Sequence, residues 1–227
     1  MSIMYSQTTE SRVSLREVKE ETYRALRATG YPWGEAQAAG RLVAVSEALW
    51  GTGVGFAVHD SRRWWVARRG LQVRRDGQGI YLRDRRKTSA MIAGNHAVAM
   101  ALGCPGETVF VRGGSGGKEV AAAVWDLHTG AHSVAWGGVT AGKLTAFSVD
   151  DEGHLYWHSH IPQEFIGRRL SAGEWFVRQG EISGGELLIS TEHRQQCLAS
   201  ALRGGVVVAP NTWKQLMKKA RKFLVAE

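Results

Sequence analysis

Between Glu107 and Ile189 the chain repeats one device, a short apolar or aromatic run followed by a glycine-rich break. The runs are Val109-Phe110-Val111, Val120 to Trp125, Ser133 to Trp136, Leu144 to Val149, Leu155 to His160, Trp175 to Val177 and Leu187 to Ile189. Runs this short, bounded by turn residues at these intervals, predict strands of a mainly antiparallel sheet.

The flanking segments carry a helical period instead. Ser14-Leu15-Arg16-Glu17 has the spacing of a capping box, in which the serine oxygen and the glutamate carboxylate each satisfy an orphan amide. Gly30 ends that helix and Pro32 precedes a second one. Its face is marked by Ala36, Ala39, Leu42, Val43, Ser46 and Leu49, so residues 14–50 predict an αα-hairpin. From Gly51 to about Lys87 short runs return, and Asp76-Gly77-Gln78-Gly79 supplies a turn between Leu71 to Arg75 and Ile80 to Arg83. Ser89 to Leu102 reads as a helix closed by Gly103 and Pro105. Glu192 to Leu202 and Thr212 to Leu224 read as two more, the last with a stripe of Trp213, Leu216, Met217, Ala220 and Phe223. The expectation is one α+β domain over residues 1–227. Residues 1–12 are disordered in it, 51–190 form a sheet-rich body with one helix, and helices occupy 192–225.

A chain of 227 residues with 44% hydrophobic content can bury a sizeable core. Only Cys104 and Cys197 are present, each in an apolar run, which excludes a disulfide framework and points to a reducing compartment. The first twelve residues lack the basic start and apolar block of a signal peptide, and no run approaches a membrane span. The expected location is cytoplasmic, with no membrane partner. The net charge of +8 favours anionic partners.

Three segments carry enough chemistry to be weighed as sites. Gly113-Gly114-Ser115-Gly116-Gly117-Lys118 follows a strand, but Arg112 stands where a phosphate-binding loop needs its first glycine and Glu119 where it needs a hydroxyl. A hairpin loop is the better reading. Read as a strand, His154 to His160 places His154, Tyr156, His158 and His160 on one face. His158, His160 and Glu164 resemble the first metal motif of the cupins, which would imply a divalent metal. The simpler account is a half-exposed strand face. Between Arg62 and Lys87 lie nine arginines and one lysine, interleaved with Trp64, Trp65 and Tyr81. The stretch from Arg62 to Arg86 could neutralise phosphates of a nucleic acid, or simply keep a hairpin soluble.

Val13 to Glu17, Ala25 to Gly30 and Tyr31 to Gly40 together resemble the opening of a bacterial family known only as a domain of unknown function. More distantly, they resemble the helical start of the malate/L-lactate dehydrogenase superfamily, which reduces 2-oxo acids and cyclic imines with NAD(P)H. The likeness recurs weakly at Gly205 to Val208, Trp213 and Phe223 to Val225. It implies a small-molecule enzyme, oxidoreductase-like, acting on an anionic carboxylate metabolite without a Rossmann fingerprint. That superfamily carries an Asp-Ser-His-Gly motif after its second helix, where this chain reads Val58-His59-Asp60-Ser61. His59 as general acid with Asp60 as its orienting carboxylate is what this resemblance offers; Arg62 and Arg63, at the start of the basic stretch, are the candidate substrate carboxylate binders. Substrate and oligomeric state stay open.

Overall fold

The computed structural model describes residues 11–62, 70–84, 87–113, 116–127, 132–140 and 143–225. Its first helix, α1 (Leu15–Ala28), begins as expected: Ser14 Oγ accepts from Glu17 N at 3.1 Å, and Glu17 Oε2 accepts from Ser14 N at 2.8 Å. The second, α2 (Trp33–Trp50), ends at Gly51, whose φ of +65° suits a residue without a Cβ. The two pack as the predicted hairpin through Val18, Ala25, Leu26, Ala36, Ala39, Leu42 and Val43, all buried.

A third helix, α3 (Gly53–Asp60), follows at once, in a region where strands were expected. Two glycines in its first turn hide it from propensity. It forms because it docks on α2: a Cβ on Gly53 would stand 2.1 Å from the Val43 carbonyl oxygen, so only glycine allows this approach. The predicted hairpin is present as β2 (Leu71–Asp76) and β3 (Gly79–Asp84), paired antiparallel. A π-turn (Ala90–Gly94) runs into α4 (Asn95–Gly103), and β4 (Thr108–Arg112) pairs parallel with β3. Val120 to Trp125 is a helix, α5 (Val120–Leu127), not a strand. Three consecutive alanines favour that outcome, and burial of Val120 to Val124 removes the polar face that would mark a period.

The sheet continues through β5 (Val134–Thr140), β6 (Lys143–Val149), β7 (Leu155–His158), β8 (Glu174–Gln179) and β9 (Glu186–Ile189) in the order β2-β3-β4-β8-β5-β6-β7-β9. Every pair but β3–β4 is antiparallel, giving an α+β fold with a mainly antiparallel sheet. A short helix, α6 (Gln163–Ile166), lies between β7 and β8. The C-terminal helices are α7 (Thr191–Gly204) and α8 (Pro210–Ala220), the latter prolonged by a 3-10 turn (Arg221–Val225). Ser11–Val13 forms β1, paired with β10 (Val206–Val208), so the end of the segment expected to be disordered is ordered. Val109, Val111, Val134, Trp136, Trp175 and Val177 belong to the main core with the helices. Phe110, Ala146 and Phe176 form a second cluster with Ile161 and Ile166. Among the described residues no helix is long and apolar enough to cross a membrane.

Candidate functional site

A cleft of about 1240 Å³ opens at the carboxyl ends of β3 and β4. One wall is the end of α2 and, from α3, Val54, Gly55, Phe56 and His59. The others are formed by Arg83, Asp84 and Lys87 to Ser89, by the start of α8 and by the turn at Ala172 and Gly173.

The buried carboxylate of Asp60 organises this wall. Ser89 N donates to Oδ1 at 2.9 Å and Ser89 Oγ donates to Oδ2 at 2.7 Å. His59 Nδ1 lies 3.1 Å from Oδ1. The side chain of Asp60 is 2% exposed while that of His59 is 50% exposed and lines the cleft. A buried carboxylate held by two further donors fixes the tautomer and direction of the imidazole beside it. His59 and Asp60 are legible as neighbours in the sequence, whereas Ser89 shows there only as the start of a helix. It is that too, since its Oγ accepts from Met91 N at 3.1 Å. One hydroxyl thus caps a helix and binds the carboxylate.

Next to it stands a second clamp. Asp84 Oδ2 accepts from Thr88 N and Thr88 Oγ1, both at 2.6 Å. With Thr88 tied to Asp84 and Ser89 tied to Asp60, the chain before them is forced into Lys87 at φ +52°, the one positive φ at a non-glycine position among the described residues. Such strain persists only where surrounding bonds impose it. Lys87 lines the cleft, together with Arg83 and Arg112, which are register partners across the parallel pair. No described carboxylate forms an ion pair with any of these three cations. All three are exposed, so water solvates them now, and an anion entering the cleft can exchange that water for charge-assisted hydrogen bonds.

Glu47 closes the floor. Its Oε2 accepts from Val54 N at 2.8 Å, capping α3, and burial pushes its carboxyl above the ordinary glutamate range against the pull of the Val54 and Gly53 amides. Gly51 and Gly55 leave an open stretch of wall, since no heavy atom lies within 4 Å of where a Cβ would stand on either.

The other sequence candidates are not assembled here. Arg62 Nη2 donates to Gln215 Oε1 at 3.0 Å and does not line the cleft; Arg63 lies outside the described residues. The described arginines of the basic stretch do not form one free face. Arg74 pairs with Asp76 at 3.3 Å and Arg75 with Glu107, Arg83 joins the cleft, and Arg68, Arg69, Arg85 and Arg86 are outside the described residues. Nor does the cupin-like triad converge: no group of three or more His, Cys, Asp or Glu among the described residues is placed to hold a metal. The strand ends at His158, which is buried and bonded to Ser148 Oγ at 2.8 Å. His160 and Glu164 lie beyond it, exposed. Burial lowers the His158 imidazole below its usual range. The described part of the glycine loop leads from a strand into a helix, not into a hairpin. Trp175 Nε1 donates to Gly113 O at 3.1 Å and Trp136 Nε1 to Gly117 O at 2.9 Å, while Lys118 sits over the Trp50 ring at 5.8 Å.

No protein-family model matches the chain, and no curated protein does. Solved structures do. Malate dehydrogenase from Pyrococcus horikoshii OT3 superposes with a TM-score of 0.64 at 10% identity, over 96% of this chain and 97% of that one. A dehydrogenase from Sinorhizobium meliloti gives 0.61 at 11% identity, over 93% and 100%. Sulfolactate dehydrogenase from Methanocaldococcus jannaschii gives 0.61 at 8% identity, over 94% and 97%. The chain has the fold of these dehydrogenases. Val58-His59-Asp60-Ser61, set against Asp-Ser-His-Gly by the resemblance, stands at the end of α3 rather than directly after α2, and His59 is the histidine that lines the cleft.

Proposed function

We propose that the cleft binds a small anionic, carboxylate-bearing metabolite and serves an oxidoreductase-like reaction in which His59 exchanges a proton with the ligand. The observation that carries this reading is the His59–Asp60–Ser89 chain opening into a cleft that also holds Arg83, Lys87 and Arg112. Asp60 takes the Nδ1 side of the imidazole, and Nε2 is the atom assigned to proton exchange. In reduction of a 2-oxo acid, His59 delivers its proton to the carbonyl oxygen as that oxygen gains charge. One of the cations holds the carboxylate, each charge-assisted bond contributing about 1.5–3 kcal/mol.

The resemblance implies NAD(P)H, and the donor set fits such a group. With one of the three cations on the substrate carboxylate, the other two are left for its phosphates, and the open wall at Gly51 and Gly55 leaves room beside them. What a bound nicotinamide supplies is hydride transfer. The volume exceeds the roughly 300–1,000 Å³ of a drug-sized pocket, in keeping with two ligands side by side.

The test is a thermal-shift and fluorescence titration with NADH and NADPH, alone and with 2-oxo acids bearing one or two carboxylates. Binding at a hundred times Kd adds about 2.7 kcal/mol, a shift of roughly 5–10 °C. The shift is expected to be lost in Arg83→Ala/Arg112→Ala. An unchanged shift in that variant, or none in the wild type, would overturn the proposal.

A further inference from the structure

A run of cations with no acidic residue among them lies away from the His59 wall of the cleft. Residues 210–225 contain Lys214, Lys218, Lys219, Arg221 and Lys222 and neither aspartate nor glutamate. Lys214, Lys218, Arg221 and Lys222 are exposed. Arg62 crosses from the end of α3 to the same helix, where its partner Gln215 is neutral. Among the described residues none of these six cations has a carboxylate within ion-pair distance. This contrasts with α1, where Arg16 and Arg24 are paired with Glu20 and Glu21.

The opposite face of α8 is fully used. Leu216 and Ala220 are 0% exposed, Trp213 packs on the main core, and Phe223 meets Tyr23 edge-on at 5.9 Å. The helix is therefore anchored, with its cations held outward. Lys214, Lys218 and Lys222 follow one another at four-residue steps, a row about 12 Å long at 1.5 Å per residue. Their mutual crowding is felt: burial first, then Lys222, Arg62 and Lys218, lower the Lys219 ammonium below its ordinary range.

We infer that this outward row, Lys214, Lys218, Lys219 and Lys222 with Arg62 beside it, is a docking surface for the phosphate backbone of a nucleic acid. A row of fixed cations without counter-ions matches a linear, regularly spaced polyanion, and the counter-ions that the polyanion releases drive the association. A lipid surface fits less well, because the apolar face that would enter it is already packed on α1. The inference does not rest on the function assigned to the cleft.

The experiment is fluorescence anisotropy of the full chain with labelled single-stranded and duplex DNA of arbitrary sequence, across about 50–200 mM salt. Binding is expected to be indifferent to sequence and to weaken steeply with salt. Lys218→Glu/Lys222→Glu should weaken duplex binding about ten-fold or more and flatten the salt slope by roughly two, at 0.9 per phosphate contact. The charge-matched control Lys143→Glu/Arg203→Glu, at exposed positions elsewhere, should leave both nearly unchanged. Circular dichroism of each variant verifies folding, and Lys218→Gln/Lys222→Gln serves if the reversed charges disturb it. Equal losses in the two charge-reversed variants would reduce the effect to net charge and overturn the inference. So would binding to phosphatidylserine vesicles in preference to DNA, or no binding at the lowest salt.

Discussion

Ser89 and Asp60 lie 29 positions apart and share two hydrogen bonds, from the Ser89 amide at 2.9 Å and its hydroxyl at 2.7 Å to the two carboxylate oxygens of Asp60. This pair joins the end of α3 to the start of the π-turn and holds the carboxylate on which His59 depends.

Removing the carboxylate should therefore cost stability. Asp60→Ala strands two buried donors, and at about 1–3 kcal/mol for each unsatisfied group the loss is expected near 3 kcal/mol, a drop of roughly 6–12 °C. Ser89→Ala leaves one bond in place and should cost about half as much. Thermal melts of the two variants and of their combination check this, and the double variant should lose less than the sum because the two residues share a partner.

His59→Gln separates stability from function. The side chain is half exposed, so the melt should change by no more than about 0.5 kcal/mol. Turnover with a 2-oxo acid should fall about 10²–10⁴-fold, and the pH limb belonging to the imidazole should vanish from the rate profile. A variant as active as the wild type would remove His59 from the proposed chemistry.

Two buried groups should give opposite pH signatures. Burial raises the Glu47 carboxyl, so above the ordinary value of 4.5 the folded protein keeps a proton that the unfolded chain has released. Stability then falls as pH rises from 4.5 to the raised folded value, and Glu47→Gln should flatten that slope. Burial lowers the His158 imidazole, so below the ordinary 6.5 the unfolded chain takes up a proton that the folded protein refuses. Stability falls as pH drops from 6.5 to the lowered folded value, and His158→Gln should remove that fall. Urea unfolding over the pH series, for wild type and both variants, measures each slope.

Two glycines of one helix should respond oppositely to alanine. At Gly53 the new Cβ meets the Val43 carbonyl oxygen at 2.1 Å, a backbone contact that cannot yield, and about 3 kcal/mol of destabilisation is expected. At Gly55 nothing lies within 4 Å, and alanine should stabilise by roughly 0.5–1 kcal/mol through helix propensity. Calorimetry of both variants distinguishes docking of α3 from its intrinsic helicity.

What the sequence determined by itself is local. The Ser14–Glu17 capping box, the Gly30–Pro32 break, the Asp76–Gly79 turn and the amphipathic stripe of the last helix each specify their element through bonds among near neighbours, and the structure has them all. The α+β class followed from the same signals. Tertiary contact decided the rest. Helix α3 has glycines where a helix wants alanine and exists because Gly53 and Glu47 dock it on α2. The Val120–Trp125 run holds no polar residue, so only its burial between other helices and the sheet distinguishes helix from strand. His59 and Asp60 could be picked out as neighbours in the chain. Ser89, Lys87, Arg83 and Arg112 could not be tied to them, because strand register and a shared buried carboxylate bring them to the cleft from 24 to 53 positions away. The His158, His160 and Glu164 spacing failed for the converse reason: proximity in sequence does not converge side chains when the strand ends at the first of them and its imidazole turns inward to Ser148.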